Sequence, residues 1–251
     1  MRAIRLVSAV AAIPLVLACG SKSPTAPATS TPTISGLTIL GADAILTGAT
    51  ADYTVSVALS DGTSKTGSPG WTSSNPAVAT INGAGRLEAR SHGSTTLTAS
   101  AAGRTVSRTI RVINNYGGTW EGSFVVNGCD APPGACAGME VDIFSFPVSL
   151  KVSHSEADPG QVTAEFYLPT FAQLHSRLSG NVTSDGRLNL AGSSEQTNRD
   201  GTVWGTFTVG AWDTIVVDGS SMKGRWVQRL TNVKLAYVEI MENELTTMTR
   251  R

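Results

Sequence analysis

Few residues in this 251-residue chain could do chemistry, and the cysteines lead them. Met1 to Arg5 carries two positive charges, Leu6 to Leu17 is almost wholly apolar, and Val16-Leu17-Ala18 runs straight into Cys19 and Gly20. A basic start, an apolar run and small residues at a cleavage point make an export signal. At about 1.5 Å per residue the run is too short to cross about 30 Å of hydrocarbon as a helix. Cys129 and Cys136 flank the short loop Asp130-Ala-Pro-Pro-Gly-Ala135. In an exported protein such a pair is expected as a disulfide. Closing so small a loop contributes about 2 kcal/mol, so the bridge would pin a turn rather than hold a domain. A metal pair is the alternative, but no His or further Cys stands nearby in sequence to complete a tetrahedral site.

The remaining candidates lack partners. His92, His154 and His175 each stand alone, without ligand spacing, and are expected to be solvated strand or turn residues. Ser220-Ser-Met-Lys223 spaces a serine and a lysine as a lysine-activated nucleophile requires, and Ser73-Ser-Asn75 and Lys65-Thr-Gly67 supply the companion motifs. These run in reverse order, however, and Ser220 enters an alternating strand after a turn, which sends Ser220 and Lys223 to opposite faces. Glu239, Glu242 and Glu244 read as a solvated strand end. The expectation is a protein with no catalytic residue, no metal site and no cofactor, hence not an enzyme.

Val16-Leu17-Ala18-Cys19 resembles the lipobox of bacterial lipoproteins. The resemblance implies that residues 1–18 are a signal peptide, that Cys19 is lipidated and becomes the first mature residue, and that the protein is anchored in the cell envelope. Gly20 after the cysteine implies the outer membrane, on its periplasmic or surface face. The following segment, Gly20 to Thr33, has three prolines and no apolar periodicity. Residues 19–33 are therefore a lipidated cysteine and a disordered tether, reaching up to roughly 40 Å when extended.

Composition narrows the partners. Without Arg2 and Arg5 the chain has 17 basic and 19 acidic residues, so no basic footprint for nucleic acid exists. Abundant small and β-branched residues with scarce charge fit an exported all-β protein.

Residues 34–113 contain repeated period-two runs. Tyr53, Val55, Val57 and Leu59 share one face, and Leu97 and Ala99 face Val106, Ile110 and Val112 across an Ala102-Gly103 turn. Short strands with dense turn signals predict a β-sandwich. Pro69-Gly-Trp-Thr-Ser-Ser-Asn-Pro76, then Val78-Ala-Thr-Ile81, Gly85-Arg-Leu87 and Gly93-Ser-Thr-Thr-Leu97, resemble the bacterial Ig-like domain group 2. The resemblance implies a surface module, often a spacer, with Trp71 filling the core, Asn75-Pro76 turning the chain, and Val78 and Ile81 packed inward.

Residues 116–251 hold four of the five tryptophans and all six phenylalanines, so this half should own the larger core. About eight strands are predicted, near 118–127, 140–153, 161–168, 174–183, 186–195, 202–209, 213–217 with 221–230, and 233–247. Asp-Gly pairs at 185–186, 200–201 and 218–219 mark hairpins. Such a meander can close into an up-and-down barrel, with an open twisted sheet or second sandwich as alternatives. Gly118-Thr-Trp120 loosely resembles the opening of lipocalin-like barrels. A barrel of this size can be filled with side chains or hold one small ligand. The expected function is a non-enzymatic, lipid-anchored protein whose Ig-like spacer presents the β domain for adhesion or for binding a glycan or envelope protein. The alternatives are a carrier of a small hydrophobic molecule and a scaffold for an envelope assembly.

Overall fold

The computed structural model describes residues 31–132, 145–171, 174–232 and 237–251. Cys19 with the signal-like segment, Cys136, and the predicted strand starts at 140–144 and 233–236 lie outside the described residues.

The first ten strands are β1 (Ile34–Leu40), β2 (Ala44–Leu46), β3 (Thr50–Asp52), β4 (Thr54–Leu59), β5 (Ser64–Gly67), β6 (Gly70–Ser73), β7 (Ala79–Ile81), β8 (Arg86–Ala89), β9 (Gly93–Ala101) and β10 (Arg104–Ile113). They form sheets ordered β1-β4-β5, β2-β10-β9-β6 and β3-β8-β7. Tyr53, Val55, Val57, Leu87, Leu97, Ile110 and Val112 are buried between them, as their alternation requires. Trp71 departs from expectation: it is half-buried against the edge of this core rather than inside it. The Ser-Ser-Asn-Pro stretch does more than turn the chain. Buried Thr95 accepts the Asn75 N–H at 3.1 Å and bonds the Ser73 hydroxyl at 2.8 Å, so the turn is tied to β9 by a satisfied polar knot.

Eight further strands follow: β11 (Gly118–Asp130), β12 (Phe146–His154), β13 (Gln161–Tyr167), β14 (His175–Val182), β15 (Leu188–Thr197), β16 (Val203–Val216), β17 (Ser221–Asn232) and β18 (Tyr237–Arg250). All neighbours are antiparallel, and β18 pairs back onto β11 to close the barrel. Closure removes both sheet edges. Segments 202–209 and 213–216 belong to one strand, β16, rather than to separate ones. A register shift between Gly210 and Asp213, with Ala211 at φ 47°, keeps Val209 and Trp212 both inward and hides the continuity from a period-two reading.

The outer wall is charged at mid-strand. Lys151, Glu165 and Arg177 lie side by side across β12, β13 and β14, and Lys223, Arg225, Glu242 and Glu244 project from β17 and β18. A lipid-facing barrel carries an apolar band at these positions, so this wall is built for water. Among the described residues no helix is long and apolar enough to cross a membrane.

Candidate functional site

The barrel has two ends. The proximal end adjoins the Ig-like module, where β11 begins and β18 finishes. At the distal end β11, β13, β15 and β17 finish and β12, β14, β16 and β18 begin.

Tyr116 seals the proximal end. Fully buried, it donates its hydroxyl to the Gly186 carbonyl at 2.7 Å, and its own carbonyl accepts the Trp120 indole N–H at 2.7 Å. Burial pushes its phenol up to about 12. Asn114 donates to the same Gly186 carbonyl at 2.9 Å, and His92 from the Ig-like module bonds the Ser184 carbonyl at 3.1 Å. Gly186 sits at φ +83°, and an added Cβ would lie 2.9 Å from Asn114 and 3.0 Å from His92, so the hairpin 183–187 docks closely. His154 accepts the Tyr116 N–H on Nδ1 at 3.1 Å, which leaves Nε2 to donate to the Pro159 carbonyl at 2.8 Å. Desolvation lowers its pKa, with Arg250 adding to the effect and the Pro159 bond opposing it. The Arg250 guanidinium stacks over Trp120 at 4.7 Å. His92 and His154 are thus half-buried junction residues, not the solvated ones expected; His175 alone is exposed.

Aromatic rings span the barrel's middle. Trp226 meets Phe124 at 5.1 Å, Phe166 at 5.0 Å and Trp212 at 5.8 Å, and Phe166 stacks on Phe207 at 5.8 Å. Together with Trp120 they fill the proximal and central interior, resolving much of the filled-or-hollow alternative there.

The distal half differs. Inward positions there hold Ser176 (1% exposed), Gln196 (1%), Gln228 (6%) and Asn243 (2%). Six buried atoms in this half or on its aromatic floor have no hydrogen-bond partner: Ser176 Oγ, Gln196 Oε1, Gln228 Oε1, Asn243 Oδ1, Trp204 Nε1 and Trp226 Nε1. The amide orientations are fixed by their nitrogens. Gln196 Nε2 donates to the Ser194 hydroxyl at 2.8 Å, Asn243 Nδ2 to the Met241 carbonyl at 3.3 Å, and Gln228 Nε2 faces Met241 sulfur at 2.8 Å. Register places Trp226 opposite Asn243 and Gln228 opposite Met241 on one inner face. Each such group left dry costs about 1–3 kcal/mol, so six would cost on the order of 10 kcal/mol, comparable with a whole domain's stability. The distal interior is therefore polar and incompletely paired. Glu239, opposite Leu230 and also buried, has its carboxyl raised by desolvation.

The residues singled out from sequence are scattered. Cys129 is half-buried near the distal end of β11. Lys65 and Ser73 lie in the Ig-like module, far along the chain from Ser220 and Lys223 on the barrel, and Ser220 is engaged by Asp218 at 3.1 Å. Among the described residues no three His, Cys, Asp or Glu gather to hold a metal. The distal polar set was not anticipated. Its one available signal was Gln228, standing in the inward row Met222, Gly224, Trp226, Leu230.

Residues 42–112 match the bacterial Ig-like domain (group 2). That group 2 module accounts for under a third of the chain and ends before the barrel begins. No curated protein matches the chain. Similar solved structures include surface layer protein SbsC domains 4–9, at 13% identity and TM-score 0.31, covering 85% of this chain and 31% of that one. SbsC domains 5–6 give 14% identity and TM-score 0.30, covering 85% and 98% respectively. An intimin mutant of EHEC O157:H7 gives 14% and 0.27, covering 61% and 96%. This chain spans about a third of the first of these. At such scores these likenesses bear on neither fold nor function.

Proposed function

We propose that this is a non-enzymatic protein of the bacterial cell envelope, lipid-anchored through Cys19, in which the group 2 Ig-like module is a spacer and the barrel is the ligand-binding end. The observation that carries the binding role is the set of buried polar atoms without a hydrogen-bond partner on Ser176, Gln196, Gln228, Asn243, Trp204 and Trp226. Three features support the rest. The Ig-like match supports a surface module, the water-facing barrel wall supports a domain held off the bilayer, and the lipobox-like Val16-Leu17-Ala18-Cys19 supports the anchor. The Cys129–Cys136 disulfide would brace the distal connection from β11. Several acyl chains, at about 0.8 kcal/mol per buried methylene, would make attachment lasting where one would not.

A carrier of a fully apolar molecule fits less well, because amide oxygens and a carboxyl would face hydrocarbon. Fractionation of the native host tests the anchor: the wild-type chain should sediment with outer membrane, and Cys19→Ser should appear in soluble fractions. A Cys19→Ser protein that stays with membranes contradicts the lipid anchor.

A further inference from the structure

Going beyond the spacer role, we infer that the Ig-like module is also the lid of the barrel's proximal end, and that the two modules fold and unfold as one unit. The decisive residues end β2 and β10. These strands pair in parallel, with Val112 opposite Ile45 and Ile113 opposite Leu46. Consecutive side chains of a strand point to opposite faces. Ile45 and Val112 belong to the sandwich core, so Leu46 and Ile113 point out of the sandwich. A free-standing module would leave both in water. Here Leu46 is 1% exposed and Ile113 6%, because both join the barrel's own cluster with Tyr116 and Trp120. Ala44 and Ala49 pack against the same cluster.

The connection adds to this apolar contact. It is only Asn114 to Gly117, and it is held along its length. The Asn114 amide donates to the Gly186 carbonyl, the Asn115 carbonyl accepts the Arg250 guanidinium from β18, and Asn115 Oδ1 accepts the Gly117 N–H at 2.9 Å. Tyr116, between them, is buried and bonded to the 183–187 hairpin. Linked modules move freely when their interface is small and polar and a few connecting residues can absorb the change in φ and ψ. This joint is apolar and its chain is pinned. Each module therefore covers apolar surface that the other would expose alone. The barrel thus holds a fixed direction relative to Ile34, where the Ig-like module begins.

Hydrogen-exchange mass spectrometry of the full chain across a urea series tests this, because each module is read through its own peptides. Peptides from β9 and β10 and peptides from β15 and β16 should lose protection at one shared urea midpoint. Val57→Ala, in a sandwich core that includes no barrel residue, should lower both midpoints together. If circular dichroism shows that this variant has not folded, the milder Ile39→Val in the same core takes its place. Leu46→Ser reads the lid itself: exchange of the 182–188 hairpin should quicken about tenfold or more. Two separate midpoints in the wild-type chain, a core variant that lowers the Ig-like midpoint alone, or a hairpin unmoved by Leu46→Ser would each overturn the inference.

Discussion

The two halves of the barrel bury their tryptophans in opposite ways. In the proximal half Tyr116, Trp120, Trp212 and Thr214 all pair internally: the Trp212 indole donates to the Thr214 hydroxyl at 2.9 Å, and Trp120 and Tyr116 lock each other to the backbone. On the distal side of the central rings the third buried tryptophan, Trp226, has an idle N–H opposite Asn243, whose amide oxygen is also idle. One strand set thus contains a bonded plug and a polar interior that is incompletely paired.

The largest test of this contrast is Tyr116→Ala, which removes the plug and its bonds to Gly186. It should cost about 3–5 kcal/mol in urea unfolding, whereas Tyr116→Phe should lose only about 1 kcal/mol. Next comes Gly186→Ala, which adds a Cβ at a positive φ against Asn114 and His92. A loss of about 1–3 kcal/mol is expected from thermal melts.

A smaller effect is pH-dependent. The folded-state pKa of His154 lies below 6.5, so its contribution is complete above that value and is lost as pH falls through the folded pKa. Protonation would also remove the Nδ1 acceptor of the Tyr116 N–H. Tm should therefore drop on acidification below about pH 6, and His154→Gln should flatten that limb of the profile. Smallest is Glu239→Gln. The raised carboxyl opposes folding while ionised, so the variant should be slightly more stable at about pH 7, with the gain fading below its ordinary 4.5. A melt series across pH reads both.

Much of this architecture was legible in the sequence because alternation is a local property. Val162, Ala164 and Phe166 point inward wherever the strand lies, and Asp-Gly pairs turn hairpins regardless of their surroundings. The sandwich core around Tyr53, Leu97 and Ile110 was readable in the same way. What failed was non-local. His92 meets Ser184, and Asn114 meets Gly186 across 72 residues, so nothing near either residue announces a junction. The Ala211 bulge broke the parity that would have joined the two parts of β16. The distal polar set was hidden because Ser, Asn and Gln in a strand usually signal the solvent face. Only closure of the barrel shows that Ser176, Gln196, Gln228 and Asn243 share one interior.

The claim that distal polar groups add little to stability, while proximal ones hold the fold, is tested most directly by urea unfolding of Thr214→Val beside Asn243→Leu. Thr214→Val strands the Trp212 indole and should lose about 1–3 kcal/mol, whereas Asn243→Leu removes an idle oxygen together with a long 3.3 Å bond to the Met241 carbonyl and should lose less than about 1 kcal/mol. A loss in Asn243→Leu as large as that in Thr214→Val would contradict the account.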